Sequence, residues 1–220
     1  MEPTSRKYLF FDLDGTLTDS MPGIARAVQY ALRRFGIDVQ DLATLKPFLG
    51  PPLRDSFMEF YGMSPEEADR AVAVSREYFV PRGMFENELY PGIPELLAAT
   101  AAAGRVNVIA TSKPQPFAER IAAHFGIDRH FRLISGSTFD GRRKTKADVI
   151  RHALSALGIA PGEAVMIGDR RHDVEGAAEE GLPAIAVEWG YAPPGELEAA
   201  RPLRIVPDVE TLRRLLLGNK

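Results

Sequence analysis

Apolar residues cluster in short, continuous runs along the chain, and this pattern predicts a parallel β-sheet. The clearest runs are YLFF (residues 8–11), VNVIA (106–110), AVMIG (164–168) and AIAV (184–187). Continuous runs, unlike alternating ones, are typical of strands that helices cover on both faces. A weaker run, FRLIS (131–135), predicts a fifth strand, and RIVP (204–207) predicts a strand at the sheet edge.

Segments with helical periodicity separate these runs. They cover residues 94–104, 116–126, 146–158 and 173–181. Strands that alternate with helices indicate an α/β fold in which crossover helices connect parallel strands. We therefore predict a Rossmann-like, doubly wound parallel sheet.

One long stretch breaks this alternation and predicts an inserted subdomain. Residues 22–85 contain no strand pattern, whereas 22–36, 51–62 and 64–79 have helical periodicity with start and stop signals. A Pro-Gly turn at 91–92 follows the stretch. We predict an α/β core at 1–17 and 86–220, and an all-α helical bundle inserted at 18–85.

Composition narrows the classes of partner. The 220-residue chain is 45% hydrophobic and 26% charged, with a net charge of -3. It therefore lacks the excess of positive charge that would predict a nucleic-acid partner. The absence of cysteine excludes disulfides, thiolate catalysis and cysteine zinc sites, and it fits a reducing compartment. No apolar run has the length of a signal peptide or a membrane span. We predict a cytoplasmic protein without a membrane partner.

Polar residues follow three of the predicted strands, where an open α/β sheet binds its ligands. They are Asp12, Asp14, Gly15 and Thr16 after the first run, Thr111, Ser112 and Lys113 after the second, and Asp169 and Asp173 after AVMI. Because carboxyl ends of parallel strands meet at one edge, we expect these residues to converge there.

The first of these groups is a pair of aspartates. Asp12 and Asp14 are two residues apart, so their side chains point the same way in an extended backbone. Two adjacent carboxylates repel unless a cation lies between them or one holds a proton. A calcium loop is excluded because the stretch lacks a third oxygen ligand before Gly15 and a terminal glutamate. The pair favours a catalytic or metal-binding role.

The GDRRHD segment supplies two more carboxylates. Asp169 follows a buried strand, and Asp173 opens the next helix. A simpler explanation of Asp173 is that it is merely the N-cap of that helix. With Asp12 and Asp14, these aspartates provide hard oxygen ligands of the kind that Mg²⁺ prefers. We predict a Mg²⁺ site.

A lysine before the AVMI strand breaks a local rule. Thr145 and Asp148 form a short version of the capping box, which places Lys146 in the first helical turn. The helix macrodipole disfavours a cation there, and such conflicts often mark function. A nearby anion would resolve the conflict. Lys144 of the same loop is the alternative.

Four segments carry a family resemblance, in the order FDLDGTLTDS, ATSKP, KTKADVI and IGDRRHDVEGA. They resemble the four motifs of the haloacid dehalogenase superfamily of phosphohydrolases, and the resemblance spans essentially the whole chain. The inserted helices resemble the four-helix cap of the phosphoglycolate phosphatase-like branch, and residues 49–57, with Arg54, resemble the substrate-facing loop of that cap. Asp14 argues against the true dehalogenases, in which the second aspartate is absent.

The resemblance implies roles for the aspartates. Asp12 would attack phosphorus and form an aspartyl phosphate. Asp14 would act as general acid for the leaving group and then as base for the hydrolytic water. Asp12, Asp169 and the backbone carbonyl of Asp14 would bind Mg²⁺, with Asp173 holding a water on the metal.

The resemblance also implies which groups bind the phosphoryl group. Thr111 and Lys146 would neutralise its charge. Further contacts to phosphate or substrate would come from Gly15, Thr16, Ser112, Lys113 and Arg54.

The implied function is hydrolysis of a small phosphate monoester, either phosphoglycolate-like or a nucleotide 5′-monophosphate, with Mg²⁺ as cofactor. A β-phosphoglucomutase-like sugar-phosphate mutase would use the same aspartyl phosphate and is the alternative. A non-catalytic phosphate- or partner-binding protein on the same scaffold is a third possibility. We expect a monomer or a homodimer.

Overall fold

The computed structural model describes residues 6–218. Residues 1–5 and 219–220, which belong to the predicted core range, lie outside the described residues. Eight strands occur in the described chain, namely β1 (Tyr8–Phe11), β2 (Thr18–Asp19), β3 (Glu88–Leu89), β4 (Val106–Pro114), β5 (Phe131–Ser137), β6 (Ala164–Gly168), β7 (Ala184–Val187) and β8 (Arg204–Val206).

Nine α-helices occur in the same described residues. They are α1 (Met21–Arg34), α2 (Leu53–Tyr61), α3 (Pro65–Phe79), α4 (Ile93–Ala102), α5 (Gln115–His124), α6 (Lys146–Leu157), α7 (Arg171–Glu179), α8 (Glu196–Ala200) and α9 (Val209–Leu217). Short 3₁₀ helices cover Leu42–Phe48, Gly83–Phe85, Asp128–His130 and Pro161–Glu163. None of the helices in residues 6–218 combines the length and apolar character needed to cross a bilayer.

Six parallel strands form the main sheet in the order β5-β4-β1-β6-β7-β8. The chain first builds outward from β1 through β4 to β5 and then returns to the other side of β1 with β6. The predicted doubly wound, Rossmann-like α/β fold is therefore confirmed. The two most weakly predicted strands, FRLIS and RIVP, form the two edges of the sheet. An edge strand has one neighbouring strand instead of two, so it needs fewer apolar side chains.

The sheet register determines which residues meet at the carboxyl edge. Phe11 of β1 lies beside Ile109 of β4 and Ile167 of β6. The last three residues of β1 are fully buried, as apolar helices cover both faces. The polar residues that follow these strands therefore reach the same edge together.

Strand β4 is longer than the pattern VNVIA predicts. It continues to Pro114, with a register shift against β5 between Ala110 and Pro114. Thr111 and Ser112 therefore lie within an irregular strand end and not in a loop. The apolar pattern ends earlier because Thr111 is polar although it is buried, and the side chains of Ser112, Lys113 and Pro114 are only partly buried.

The residues Asp19–Glu88 form a separate compact unit. The predicted insertion was 18–85. The chain crosses between the units through Thr18–Asp19 and Glu88–Leu89, which pair as a two-stranded sheet. Strands of two residues leave no periodic signal, so the pattern could not reveal these boundaries.

Three α-helices build the helical unit around an apolar core that includes Val28, Leu32, Phe48 and Phe57. The family resemblance implied four helices. The segment Leu42–Phe48 is instead a 3₁₀ helix that contains Pro47. Proline lacks the amide hydrogen that an α-helical hydrogen bond needs, which favours the shorter 3₁₀ segment.

Candidate active site

The candidate site lies where the strand order reverses around β1. Ligands of open α/β sheets bind in the crevice at such a reversal, outside the carboxyl ends of the strands. Asp12 directly follows β1, Thr111 lies in β4, and Asp169 directly follows β6. All three side chains are buried.

Asp12 is held by a backbone amide and by Lys146. Its Oδ1 accepts a hydrogen bond from its neighbour Leu13 N at 2.8 Å and lies 2.9 Å from Lys146 Nζ. Two donors on one oxygen restrict the carboxylate to a single orientation. An oriented carboxylate at a sheet crevice is suited to attack a bound electrophile.

Lys146 reaches into the carboxylate cluster from the first turn of α6. Its Nζ lies 2.8 Å from Asp173 Oδ1 and donates to the carbonyl oxygen of Ala110 at 3.0 Å. The expected capping box of Thr145 and Asp148 is present, so the helix begins where the sequence predicted. Lys144, in contrast, is exposed, and its backbone N donates to Asp148 Oδ2. Of the two lysines Lys144 and Lys146, it is thus Lys146 whose ammonium contacts Asp12 and Asp173.

Asp169 is completely buried and is held at both oxygens. Thr16 Oγ1 donates to Oδ1 at 3.3 Å, and Tyr191 N donates to Oδ2 at 2.7 Å. Gly15 lies so close that a Cβ there would fall 2.2 Å from Asp169 Oδ2, and its φ is +82°. Glycine is therefore required at position 15 both by the backbone and by the neighbouring carboxylate.

Asp14 forms an ion pair with Lys113, for which the family resemblance implied a contact with phosphate or substrate. Lys113 Nζ lies 2.7 Å from Asp14 Oδ2, and both side chains are largely buried. Asp14 Oδ1 is buried and has no hydrogen-bond partner among residues 6–218. One oxygen of Asp14 is thus anchored while the other remains available to a bound group.

The other predicted phosphate contacts have protein partners in this structure. Gly15 N donates to Thr18 O at 2.8 Å, and Thr16 N donates to Leu13 O at 3.3 Å. Thr111 Oγ1 accepts from Lys113 N at 3.2 Å, and Ser112 is partly buried beside it. Contacts of these residues with phosphate stay predictions.

Arg54 belongs to the helical unit. Its Nε donates to Asp69 Oδ1 at 2.7 Å, and the guanidinium side chain is 41% exposed. Its predicted contact with substrate stays a prediction.

Burial and mutual repulsion shift the titration of the cluster. Burial, followed by the charges of Asp173 and Asp12, raises the pKa of Asp169 well above its usual value. Burial, with Asp12 nearby, also raises the pKa of Asp173, although Lys146 opposes this shift. For Lys146, burial disfavours the ammonium, but Asp12 and Asp173 outweigh it and raise its pKa. The shift therefore favours the protonated, cationic form of Lys146.

The donor set fits a divalent metal ion. Ligand oxygens of Asp12, Asp169 and Asp173 all lie within 4.8 Å of one another. Counting Asp14, four aspartates face two lysines, so the ionised cluster carries a formal charge of about -2. A divalent cation held by these carboxylates would neutralise that charge and relieve the repulsion that, together with burial, raises the pKa values of Asp169 and Asp173.

The model of the haloacid dehalogenase-like hydrolase family matches residues 9–187. The chain belongs to this family. The resemblance drawn from the four sequence motifs is therefore confirmed, and the matched range covers the predicted nucleophile, the lysine and the carboxylate cluster of this haloacid dehalogenase-like hydrolase.

Three known proteins are similar over most of the chain. A 5′-nucleotidase from Pseudomonas aeruginosa is 48% identical over 208 residues, which cover 94% of each protein. Tyrosine-protein kinase PtkA from Mycobacterium tuberculosis is 44% identical over 189 residues, covering 85% of this chain but only 64% of PtkA. The crystal structure of a predicted phosphatase from Clostridium acetobutylicum superposes with a TM-score of 0.93 at 45% identity, covering 97% of this chain and 99% of that one.

Two features of the site were missed by sequence reasoning. The segment after β7 contacts Asp169 and Thr16 through Tyr191 N and Trp189 Nε1. Arg170 is buried in an ion pair with Glu196 at 2.8 Å, which the sequence pattern did not predict. The first feature carried a signal, since Gly190 follows a strand at the ligand-binding edge; the second depends on a partner 26 residues away.

Proposed function

We propose that this hydrolase removes the phosphoryl group of a small phosphate monoester, with Mg²⁺ as cofactor and an aspartyl phosphate on Asp12 as intermediate. The chain is a phosphoric monoester hydrolase. The observation that carries the proposal is the oriented Asp12 carboxylate beside Lys146, with the unpartnered oxygen of Asp14 two residues away.

The first step forms a bond between an Asp12 carboxylate oxygen and phosphorus while the bond from phosphorus to the ester oxygen breaks. The departing alkoxide takes a proton from Asp14, whose Oδ1 faces no protein donor or acceptor in the described chain. In the second step, Asp14 takes a proton from water, and the water oxygen displaces Asp12 from phosphorus. Phosphate is released and both aspartates are restored.

Positive charge supports both steps. Lys146 remains protonated and offsets the charge of the phosphoryl oxygens beside Asp12. Mg²⁺, when bound by Asp12, Asp169 and Asp173, supplies further positive charge at the phosphoryl group and lowers the repulsion between it and the carboxylates. Lys113 keeps Asp14 in place through its contact with Oδ2.

We propose a nucleoside 5′-monophosphate as the substrate class. The support is the 48% identity to a 5′-nucleotidase across 94% of both proteins. The test is phosphate release, with Mg²⁺, from nucleoside 5′- and 3′-monophosphates, phosphoglycolate and hexose phosphates. A preference for phosphoglycolate would show that the substrate is a phosphoglycolate-like ester and not a nucleoside 5′-monophosphate. Isomer formation without phosphate release would indicate a mutase, and binding without turnover would indicate a non-catalytic protein.

The assignments of a cytoplasmic location, of a monomer or homodimer, and of no nucleic-acid or membrane partner remain predictions from composition.

Metal removal provides a prediction that does not depend on substrate. Metal-free Asp169 has a raised pKa, so its contribution to stability is present at low pH and is lost as pH rises through that pKa. We expect Mg²⁺ at about 100 times its Kd to raise Tm by roughly 5–10 °C. Asp169→Asn is expected to raise the Tm in EDTA at neutral pH and to abolish the Mg²⁺ effect.

The measurement is thermal denaturation of both proteins with EDTA and with Mg²⁺ at pH 5 and pH 8. The difference in EDTA between variant and wild type should be larger at pH 8 than at pH 5. A Mg²⁺ effect that is equal in the two proteins would show that Asp169 does not hold the metal.

Selection among esters provides another prediction. The motifs of the core bind only the phosphoryl group and metal, so discrimination among leaving groups requires other residues. We expect Arg54→Ala to change the ratio of kcat/KM between two esters by about 10-fold, the scale of one lost contact to substrate. The control is Asp69→Ala, which breaks the same ion pair but keeps the guanidinium. Equal effects of the two variants would assign Arg54 to the stability of the helical unit.

A further inference from the structure

The loop that follows β7 lies against the candidate metal site, although none of the four sequence motifs includes it. We call residues 188–191 (Glu-Trp-Gly-Tyr) the β7 loop. Two of its residues donate hydrogen bonds to the site, and a third, Gly190, lies where an added Cβ would overlap Asp169.

Gly190 is required by this close approach. A Cβ at position 190 would lie 2.3 Å from Asp169 Cβ and 2.4 Å from Asp169 Oδ2. Real Cβ atoms do not approach other atoms below 3.0 Å. The φ of Gly190 is not positive, so the backbone itself would accept alanine. The constraint is therefore the carboxylate beside it and not the conformation of the loop.

The hydrogen bonds of the β7 loop reach both oxygens of Asp169. Tyr191 N donates directly to Oδ2 at 2.7 Å. Trp189 Nε1 donates to Thr16 O at 3.1 Å, and Thr16 Oγ1 in turn donates to Asp169 Oδ1 at 3.3 Å. Edge-on packing against Tyr90, with ring centroids 6.4 Å apart, supports the indole. The loop thus constrains the plane of the carboxylate.

We propose that the β7 loop is a positioning element for metal binding, which fixes the Asp169 carboxylate toward the ion before the ion arrives. The inference rests on the proposed function, because it takes Asp169 as a ligand of Mg²⁺. Asp169 lies beside two like charges, Asp12 and Asp173, and hydrogen bonds to a ligand side chain commonly fix its orientation and tune metal affinity.

The test is isothermal titration calorimetry of EDTA-stripped, dialysed protein with Mg²⁺ alone. Gly190→Ala should raise the Kd for Mg²⁺ by about 10- to 100-fold, because the new methyl group displaces either the carboxylate or the loop. The control is Gly162→Ala, at a position with open space around the added Cβ and no positive φ. Its Kd should equal that of the wild type.

A second variant introduces no clash. Trp189→Phe retains a ring beside Tyr90 but removes the N–H that binds Thr16 O, and we expect a smaller, several-fold rise in Kd. The Tm in EDTA is measured for each variant. A lower Tm with unchanged Mg²⁺ affinity in both variants would overturn the proposal, since the loop would then contribute only packing.

The wild type separates this inference from the proposed function. If it binds Mg²⁺ and hydrolyses phosphate esters while both variants bind Mg²⁺ equally well, only the role of the β7 loop fails. If the wild type itself neither binds Mg²⁺ nor hydrolyses esters, the proposed function fails and this inference fails with it.

Discussion

Asp14→Asn is expected to lose far more of its leaving-group burst rate with an alkyl phosphate than with p-nitrophenyl phosphate. An alkoxide leaves phosphorus poorly without a proton, whereas nitrophenolate departs without help. The general-acid contribution of roughly 10²–10⁴ sets the scale of the loss with the alkyl ester. In the proposed mechanism Asp14 also activates water in the second step, so turnover of both esters should slow, and the pre-steady-state burst must be measured.

Asp12→Asn provides the contrasting result. It removes the proposed nucleophile, so no burst is expected with either ester, and turnover should fall by about 10⁴–10⁶-fold. The two neighbouring aspartates are thus distinguished by their dependence on the leaving group. This contrast follows from the proposed mechanism, in which one carboxylate bonds to phosphorus while the other moves a proton.

Lys113→Met is the control for the buried ion pair. Asp14→Asn weakens the 2.7 Å contact with Lys113 as well as removing the acid, whereas Lys113→Met removes the contact and keeps the acid. Because the acid is still present, the control should show a much smaller difference between the two esters than Asp14→Asn does. Equal losses for both esters in Asp14→Asn would show that Asp14 positions the site and does not transfer the proton.

Lys146→Met is expected to reduce kcat/KM by at least about 10²–10³-fold, the scale of a lost oxyanion donor. Its ammonium lies 2.9 Å from Asp12 and 2.8 Å from Asp173, and it stays protonated because the two carboxylates outweigh the effect of burial on its pKa. The variant loses this charge at the place where the proposed mechanism transfers the phosphoryl group. It also leaves the negative charges of Asp12 and Asp173 without a compensating cation, so the two buried carboxylates repel each other.

Lys144→Met is the matched control, since it removes the same charge from an exposed position two residues away. Its kcat/KM should change by less than about 3-fold, as for a solvated surface charge. Steady-state kinetics and Tm are measured for both variants, so that a loss of folded protein is distinguished from a loss of rate. A larger effect of Lys144→Met would show that the lysine of the third motif was placed two residues out.

Local patterns in the sequence determined the sheet and the places where chemistry occurs. Continuous apolar runs predicted the strands because helices cover both faces of the sheet, and the aspartates follow β1 and β6 as expected. The capping box of Thr145 and Asp148 was readable because its partners lie three residues apart. That box placed Lys146 in the first turn of α6, which singled it out before any contact was known.

Tertiary structure decided which of these groups meet and which partners they take. Lys113 forms an ion pair with Asp14, and Arg170 forms one with Glu196. Trp189 donates a hydrogen bond to Thr16, a partner 173 residues earlier in the chain. Residue type and local spacing carry no information on such contacts, because folding brings together segments that are far apart in the sequence and share no local pattern. Gly190 shows the physical reason most directly: its backbone is ordinary, and only the carboxylate folded against it requires glycine.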